Sequence, residues 1–365
     1  MTPPLIVIAA GGTAGHVVPA LAVADALVAE RARVVFVGGR RAEEQLVPAA
    51  GYEFETIRVE PLHRRAPVKA ARAVLVDAGA LRSARRIVRR LRPAAVMGAG
   101  GYVAGPVGLA AVLGRVPLVL TEADSHLGVS NRVLAPFADC VCLAYPIPGR
   151  SESATPGNSG GRRARYLVTG RPVPPPATDR AAARARFGIG ASETCVLVFG
   201  GSQGARSINH AAVEAFAGAH FRVLHAAGER DLPDLQAPDD RYDLRGYIDN
   251  LGEALIASDI VVSRAGGSIF EIAAAGRPAV LIPYPFATAD HQTANARYME
   301  QAGAAIIIPD AELTAARLAQ EVGGLLADRG RLRAMARASA AIARPEAAHE
   351  IAHAVLAAAG AGVAP

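Results

Sequence analysis

The chain has 365 residues, too many for one ordinary hydrophobic core and enough for two domains of common size. Half of it is apolar (51%), a fifth is charged (20%) and the net charge is only +6, the balance of an ordinary globular protein. No run reaches the roughly 18 apolar residues of a membrane span, since the nearest, 103–120, is broken by Pro106, Gly108, Arg115 and Pro117.

Residues 5–10 predict a buried strand, and Gly11-Gly12-Thr13-Ala14-Gly15-His16 turns it into a helix. Pro19 is expected in that helix's first turn, with Leu21, Val23, Leu27 and Val28 on or beside its apolar face. Residues 33–37 return as the next strand, so the chain opens with a Rossmann-like βαβ unit. The glycine loop is not G-x-G-x-x-G, and Val37-Gly38-Gly39-Arg40 ends the second strand without an acid; both features argue against a dinucleotide. A second loop, Met97-Gly98-Ala99-Gly100-Gly101-Tyr102, follows a strand at 94–96. A further strand at 117–120 leads into Thr121-Glu122-Ala123-Asp124-Ser125-His126. By the strand-end rule for open α/β sheets, these loops belong at one sheet edge, facing a cleft. Residues 148–163, rich in Gly, Ser, Pro and Arg, predict a flexible surface loop, and the proline run 171–176 a stiff interdomain connection.

The opening pattern then repeats. Residues 195–199 form an apolar strand, and Gly200-Gly201-Ser202-Gln203-Gly204-Ala205 leads into a helix. The stretch 260–282 predicts strand, turn, helix and strand: apolar 260–262, the turn Ser263-Arg264-Ala265-Gly266-Gly267-Ser268, a helix from Ile269 ended by Gly276 and Pro278, then 279–282. Free N–H groups at the helix start suit a diphosphate, and Glu271, one turn on, suits a ribose diol. The competing reading is that Glu271 only favours the helix dipole and the glycines only turn the chain. The Ala-rich end, 313–359, reads as helical. The expected organisation is therefore an α/β protein with two Rossmann-like domains facing a cleft, the GT-B architecture. Its domains are expected at 1–165 and 177–344, joined by a linker at 166–176, with a last helix at about 345–365 packing back on the first domain.

These motifs, with His291-Gln292, occur in the order and spacing of one family. The chain resembles MurG, the peptidoglycan N-acetylglucosaminyltransferase family that converts lipid I to lipid II, over essentially its whole length. The resemblance implies UDP-GlcNAc on the C-terminal domain. Ser202 and Gln203 would lie near the diphosphate and Ile248 would meet uracil through its backbone. Ala265, Gly266, Gly267 and Ser268 would lie over phosphate, Glu271 on ribose and Gln292 on the sugar. The N-terminal domain would hold lipid I, with Thr13, Ala14, Gly15, His16, Tyr102 and Glu122 facing the transferred sugar. Three departures stand out. Thr121-Glu122-Ala123-Asp124 replaces the common His-Glu-Gln-Asn, which puts Asp124 where an asparagine meets the donor sugar. Gly170-Arg171-Pro172-Val173-Pro174 replaces Gly-Asn-Pro-Val-Arg, leaving Arg171 as the candidate substitute. The turn from Arg264 to Glu271 is one residue short.

Inverting displacement at the anomeric carbon needs a base and charge stabilisation for departing UDP. His16 is the candidate base; Glu122 and Asp124 compete for the role, and the bland alternative is that His16 only positions the acceptor or pyrophosphate. Two helix N-termini and Arg264 supply the positive charge, so neither a metal nor another cofactor is expected. Asp239-Asp240 reads as solvated, and His349-Glu350-Ile351-Ala352-His353, though it matches the zinc-protease helix, as a solvated helix face. Residues 62–92 carry ten Arg or Lys against the single acid Asp77, interleaved with apolar residues. That pattern fits an anionic membrane surface; without aromatic residues it does not suit nucleic acid, and the plain alternative is a solvated arginine-rich helix over a core. The odd cysteine count and the absence of a recognisable leader fit a reducing cytoplasm. The expected place is the cytoplasmic face of the cell membrane, with other cell-wall synthesis proteins as possible partners implied by the resemblance. Rival functions are a GT-B lipid glycosyltransferase acting on diacylglycerol, a UDP-GlcNAc epimerase, and a non-catalytic sugar-nucleotide sensor.

Overall fold

A computed structural model describes residues 2–12, 14–59, 67–147, 165–201, 204–287 and 290–360, with the side chains of Ala14 and of 67–77 left aside. The chain divides into two compact units, Met1–Val173 with Pro345–Pro365, and Pro174–Arg344.

The first unit contains β1 (Leu5–Ala9), α1 (Ala14–Ala29), β2 (Arg33–Gly38), α2 (Ala42–Ala49), β3 (Glu53–Thr56), α3 (Pro67–Leu91), β4 (Ala95–Gly98), α4 (Gly101–Gly114), β5 (Leu118–Glu122), α5 (Val129–Leu134), β6 (Cys140–Leu143) and β7 (Arg165–Val168). All strand pairs are parallel, in the order β3-β2-β1-β4-β5-β6-β7. A parallel sheet is covered on both faces, so its strands read as continuous apolar runs. In β1, Ile6 and Ile8 enter one core and Val7 and Ala9 the other. The linker expected at 166–176 therefore begins too early: most of β7 lies inside it, because Tyr166 and Leu167 pair with β6.

The second unit contains α6 (Arg180–Arg186), β8 (Cys195–Phe199), α7 (Arg206–Ala215), β9 (Arg222–Ala226), β10 (Tyr242–Arg245), α8 (Leu251–Ala257), β11 (Ile260–Ser263), α9 (Ile269–Ala274), β12 (Ala279–Leu281), α10 (His291–Gln301), β13 (Ala305–Ile307), α11 (Ala315–Ala327) and α12 (Arg329–Ala341). Its sheet is also parallel, in the order β10-β9-β8-β11-β12-β13. In each sheet the order reverses beside the first strand, between β1 and β4 and between β8 and β11. Loops part there at the carboxyl ends of the strands, the usual place for a ligand in such folds.

The Ala-rich end forms three helices. Thr314 and Asp328 start α11 and α12 by accepting the N–H groups of Arg317 and Arg331. The last, α13 (Ala347–Ala358), joins the core of the first unit through Ile351, Ala352, Val355 and Leu356. Full burial contributes about 1.5–3 kcal/mol for each large aliphatic side chain among them. His349, Glu350 and His353 lie on the exposed face, with His353 Nε2 3.7 Å from Glu30 Oε1. All three cysteines are buried.

Candidate active site

In the first unit the site begins where two glycine loops touch. Gly101 has φ +75, and a Cβ there would lie 1.8 Å from the Gly11 carbonyl oxygen, so only glycine fits. This contact seats the loop after β4 on the loop after β1. His16, half-buried in the first turn of α1, packs beside Gly12 and Gly100.

Pro19 lies in the second turn of α1 rather than the first, because the helix already starts at Ala14. A proline there has no N–H for the carbonyl four residues back, which belongs to Gly15. Arg171 Nη2 supplies the missing donor at 2.6 Å. Gly15, His16, Glu122 and Arg171 thereby line one pocket, together with apolar Val23, Met97 and Ile351. Burial is the largest cause holding the His16 imidazole below its ordinary pKa; the Arg171 charge adds to it and Asp124 opposes it.

Glu122, at the end of β5, is turned into its own loop. Its carboxylate accepts the N–H of Gly128 (2.7 Å), the N–H of Asp124 (3.2 Å) and the Asn131 side-chain amide (2.9 Å). Burial raises its pKa against these three bonds. Tyr102 donates its hydroxyl to Glu43 Oε1 at 2.9 Å, and Arg41 stacks 5.4 Å from its ring centre. Burial and the Glu43 carboxylate push the phenol up to about 12, so it stays a donor.

The sequence does not single out Glu43. It is fully buried and also accepts the N–H groups of Gly12 (3.0 Å) and Gly39 (2.9 Å), tying the loops after β1 and β2 to Tyr102. An acid in the first turn of a helix is so common on surfaces that the sequence carries no distinguishing signal.

In the second unit a groove of about 720 Å³ opens along the loop after β8, with Gly200, Gly204, Ser207, Arg230, Arg264 and Gln292 among its walls. Arg264, expected to offset the charge of departing UDP, is committed elsewhere. Its Nη1 donates to Asp310 (2.6 Å), Ile282 O and Pro283 O, and its Nη2 to Ser207 Oγ (2.9 Å). Tyr284 stacks 5.5 Å from the guanidinium. Arg264 is thus a strut between β11, the end of β12 and α7.

Gln292, in the first turn of α10, accepts the Tyr284 N–H at 3.0 Å, while buried Asn295 holds the Ala265 carbonyl at 3.0 Å. Gly266, Gly267 and Ser268 precede α9, whose Glu271 is partly exposed in the first turn. Ile248 is buried beyond β10, and neither it nor Glu271 lines the groove. Thr13, Ser202 and Gln203 lie outside the described residues, as does the stretch 148–163; Ala14 is described only as backbone of α1.

Two parallel Rossmann-like sheets, each with glycine loops at its crossover point, define the GT-B class. Residues 6–143 match the glycosyltransferase family 28 N-terminal domain and residues 195–351 its C-terminal domain. The chain is 41% identical to a UDP-N-acetylglucosamine–N-acetylmuramyl-(pentapeptide) pyrophosphoryl-undecaprenol N-acetylglucosamine transferase of Moorella thermoacetica, covering 96% of this chain and 98% of that one. It is 38% identical to the enzyme of the same name from Halorhodospira halophila, covering 95% and 96%. The crystal structure of Acinetobacter baumannii MurG superposes with a TM-score of 0.76 at 28% identity, covering 97% of this chain and 99% of that one. The chain is a family 28 hexosyltransferase, and it belongs to the MurG family.

Proposed function

We infer that this chain transfers N-acetylglucosamine from UDP-GlcNAc to lipid I, the undecaprenyl-pyrophosphoryl-MurNAc-pentapeptide, and so forms lipid II. The observation that carries the reading is His16, an imidazole kept neutral at a pocket in the acceptor-side unit. A neutral imidazole accepts a proton from the attacking sugar hydroxyl as that oxygen bonds to the anomeric carbon and the bond to UDP breaks. The α-linked donor gives a β-1,4 product because attack comes from the opposite face. Asp124, whose charge favours protonated His16, stabilises the imidazolium formed in this step. Glu122 serves by holding the loop that carries Asp124, and Tyr102 by fixing the glycine loops through Glu43.

Donor binding falls to the second unit. Glu271 takes the ribose diol, the Ile248 backbone takes uracil, and Gln292 takes the sugar. The backbone of Ala265 to Ser268, with Ser202 and Gln203, takes the diphosphate.

The enzyme works at the cytoplasmic face of the cell membrane. No helix among the described residues is long and apolar enough to cross a bilayer. In α3 the apolar residues Ile87 and Val88 enter the core, which corrects the expectation of a mixed basic and apolar lipid-facing surface for that half; Arg82, Arg85, Arg86 and Arg89 face outward. Exposed apolar side chains sit instead on α4 (Leu109, Leu113), α5 (Val129, Val133) and just beyond it (Phe137). Arginines of α3 with these apolar groups form the surface for anionic lipid.

The test uses purified protein and radiolabelled UDP-GlcNAc with lipid I, diacylglycerol or no acceptor. Label transfer to lipid I alone is expected. Transfer to diacylglycerol selects the rival glycosyltransferase, and conversion of the sugar nucleotide without acceptor selects an epimerase.

A further inference from the structure

We propose that Arg230 is a diphosphate-binding residue of the donor groove, aimed by a buried chain of side chains running back to Tyr242. This deepens the inferred donor site and rests on it.

Three observations support the assignment. First, Arg230 lines the same groove as Gly200, Gly204 and Ser207, beside the loop that leads into α7 at the crossover of the second sheet. Phosphate groups bind where strand ends meet helix starts in such sheets. Second, the cation that the sequence points to there, Arg264, has its guanidinium committed to Asp310, Ser207 and two carbonyls. Arg206, also on the groove wall, lies 4.0 Å from Asp234 and is largely exposed. Third, Arg230 is held in one orientation although its side chain is exposed. Its Nε and Nη2 donate to the two oxygens of Asp231 at 2.8 and 3.0 Å. This fork leaves Nη1 on the opposite edge of the guanidinium.

The hold continues inward. Asp231 Oδ2 accepts from Asn209 Nδ2 at 3.0 Å, and Asn209 Nδ2 also donates to the Ala227 carbonyl at 2.8 Å. Asn209 Oδ1 lies 3.0 Å from His225 Nε2, and His225 Nδ1 lies 2.8 Å from the Tyr242 hydroxyl. Asn209 and His225 are fully buried. Because Asn209 Oδ1 only accepts, His225 Nε2 carries the proton and Nδ1 accepts from Tyr242. The chain therefore has one direction of donation throughout: Tyr242, His225, then Asn209 and Asp231. Asp231, Asn209 and His225 are positioning residues, and Arg230 is the one that meets the ligand.

Calorimetry of the full chain with UDP and with uridine tests this, alongside Arg230→Gln, Arg230→Lys, Asp231→Asn and Glu271→Ala. Arg230→Gln is expected to weaken UDP about three- to tenfold, a modest factor because the side chain is solvated, and to leave uridine affinity unchanged. Arg230→Lys should recover part of the loss. Asp231→Asn should weaken UDP while sparing uridine, although Arg230 is intact; a general loss of structure would weaken both. If Arg230→Gln binds UDP as the parent does while Glu271→Ala does not, Arg230 is removed from the site and the donor site stands. If neither variant changes UDP binding, the donor site itself is misplaced and the proposal falls with it.

Discussion

Arg171 Nη2 donates a 2.6 Å hydrogen bond to the Gly15 carbonyl, the oxygen that Pro19 leaves without its helical donor. One bond thereby satisfies a helix carbonyl and brings a fixed positive charge beside His16. The relationship gives a signed expectation for pH dependence. Arg171 lowers the His16 pKa and Asp124 raises it. A catalytic base must be neutral, so activity falls as pH drops through its pKa. Arg171→Ala should move the acid limb of kcat/KM to higher pH, and Asp124→Asn should move it to lower pH. His16→Ala should lower kcat by about 10²–10⁴ and erase that limb. An acid limb that persists unchanged in His16→Ala would remove His16 as the base.

Glu43, itself fully buried, accepts the Gly12 N–H, the Gly39 N–H and the Tyr102 hydroxyl. Glu43→Ala should destabilise the protein by about 1–3 kcal/mol, since the buried Gly39 N–H is left without its partner while the half-buried Gly12 N–H and Tyr102 hydroxyl can turn to water. Urea unfolding measures it. A loss below about 1 kcal/mol would mean that water or a neighbour replaces the carboxylate.

Glu271→Ala should weaken UDP by about one to two orders of magnitude, the equivalent of roughly 1.5–3 kcal/mol for charge-assisted hydrogen bonds. Calorimetry on a variant whose thermal unfolding matches the parent decides the matter. Equal affinity there takes Glu271 out of the ribose site.

Reversal of Arg82, Arg85, Arg86 and Arg89 to glutamate should release the protein from anionic vesicles, each charge contributing about 1 kcal/mol near the surface. Binding of the parent should weaken as salt rises, because the contact acts only within a Debye length of roughly 8–10 Å. Activity on a short-chain, water-soluble acceptor should persist. Sedimentation with vesicles reads the effect, and unchanged binding after reversal would place the lipid contact elsewhere.

Local order was legible because it is written in short-range chemistry. Continuous apolar runs such as Val196-Leu197-Val198 exist because a parallel strand is buried on both faces. Glycine loops announce themselves because positions such as Gly101 tolerate no Cβ. From these features follow the α/β class and the repeated halves. Side-chain partnership was not legible, since it joins residues far apart in sequence. Nothing near Arg264 in the chain reveals Asp310, nothing near Glu43 reveals Tyr102, and the outward arginines of α3 could not be separated from its core-facing Ile87 and Val88 until α4 lay beside them. A charged group takes its role from the partners that satisfy it, and only the folded chain decides which partners those are.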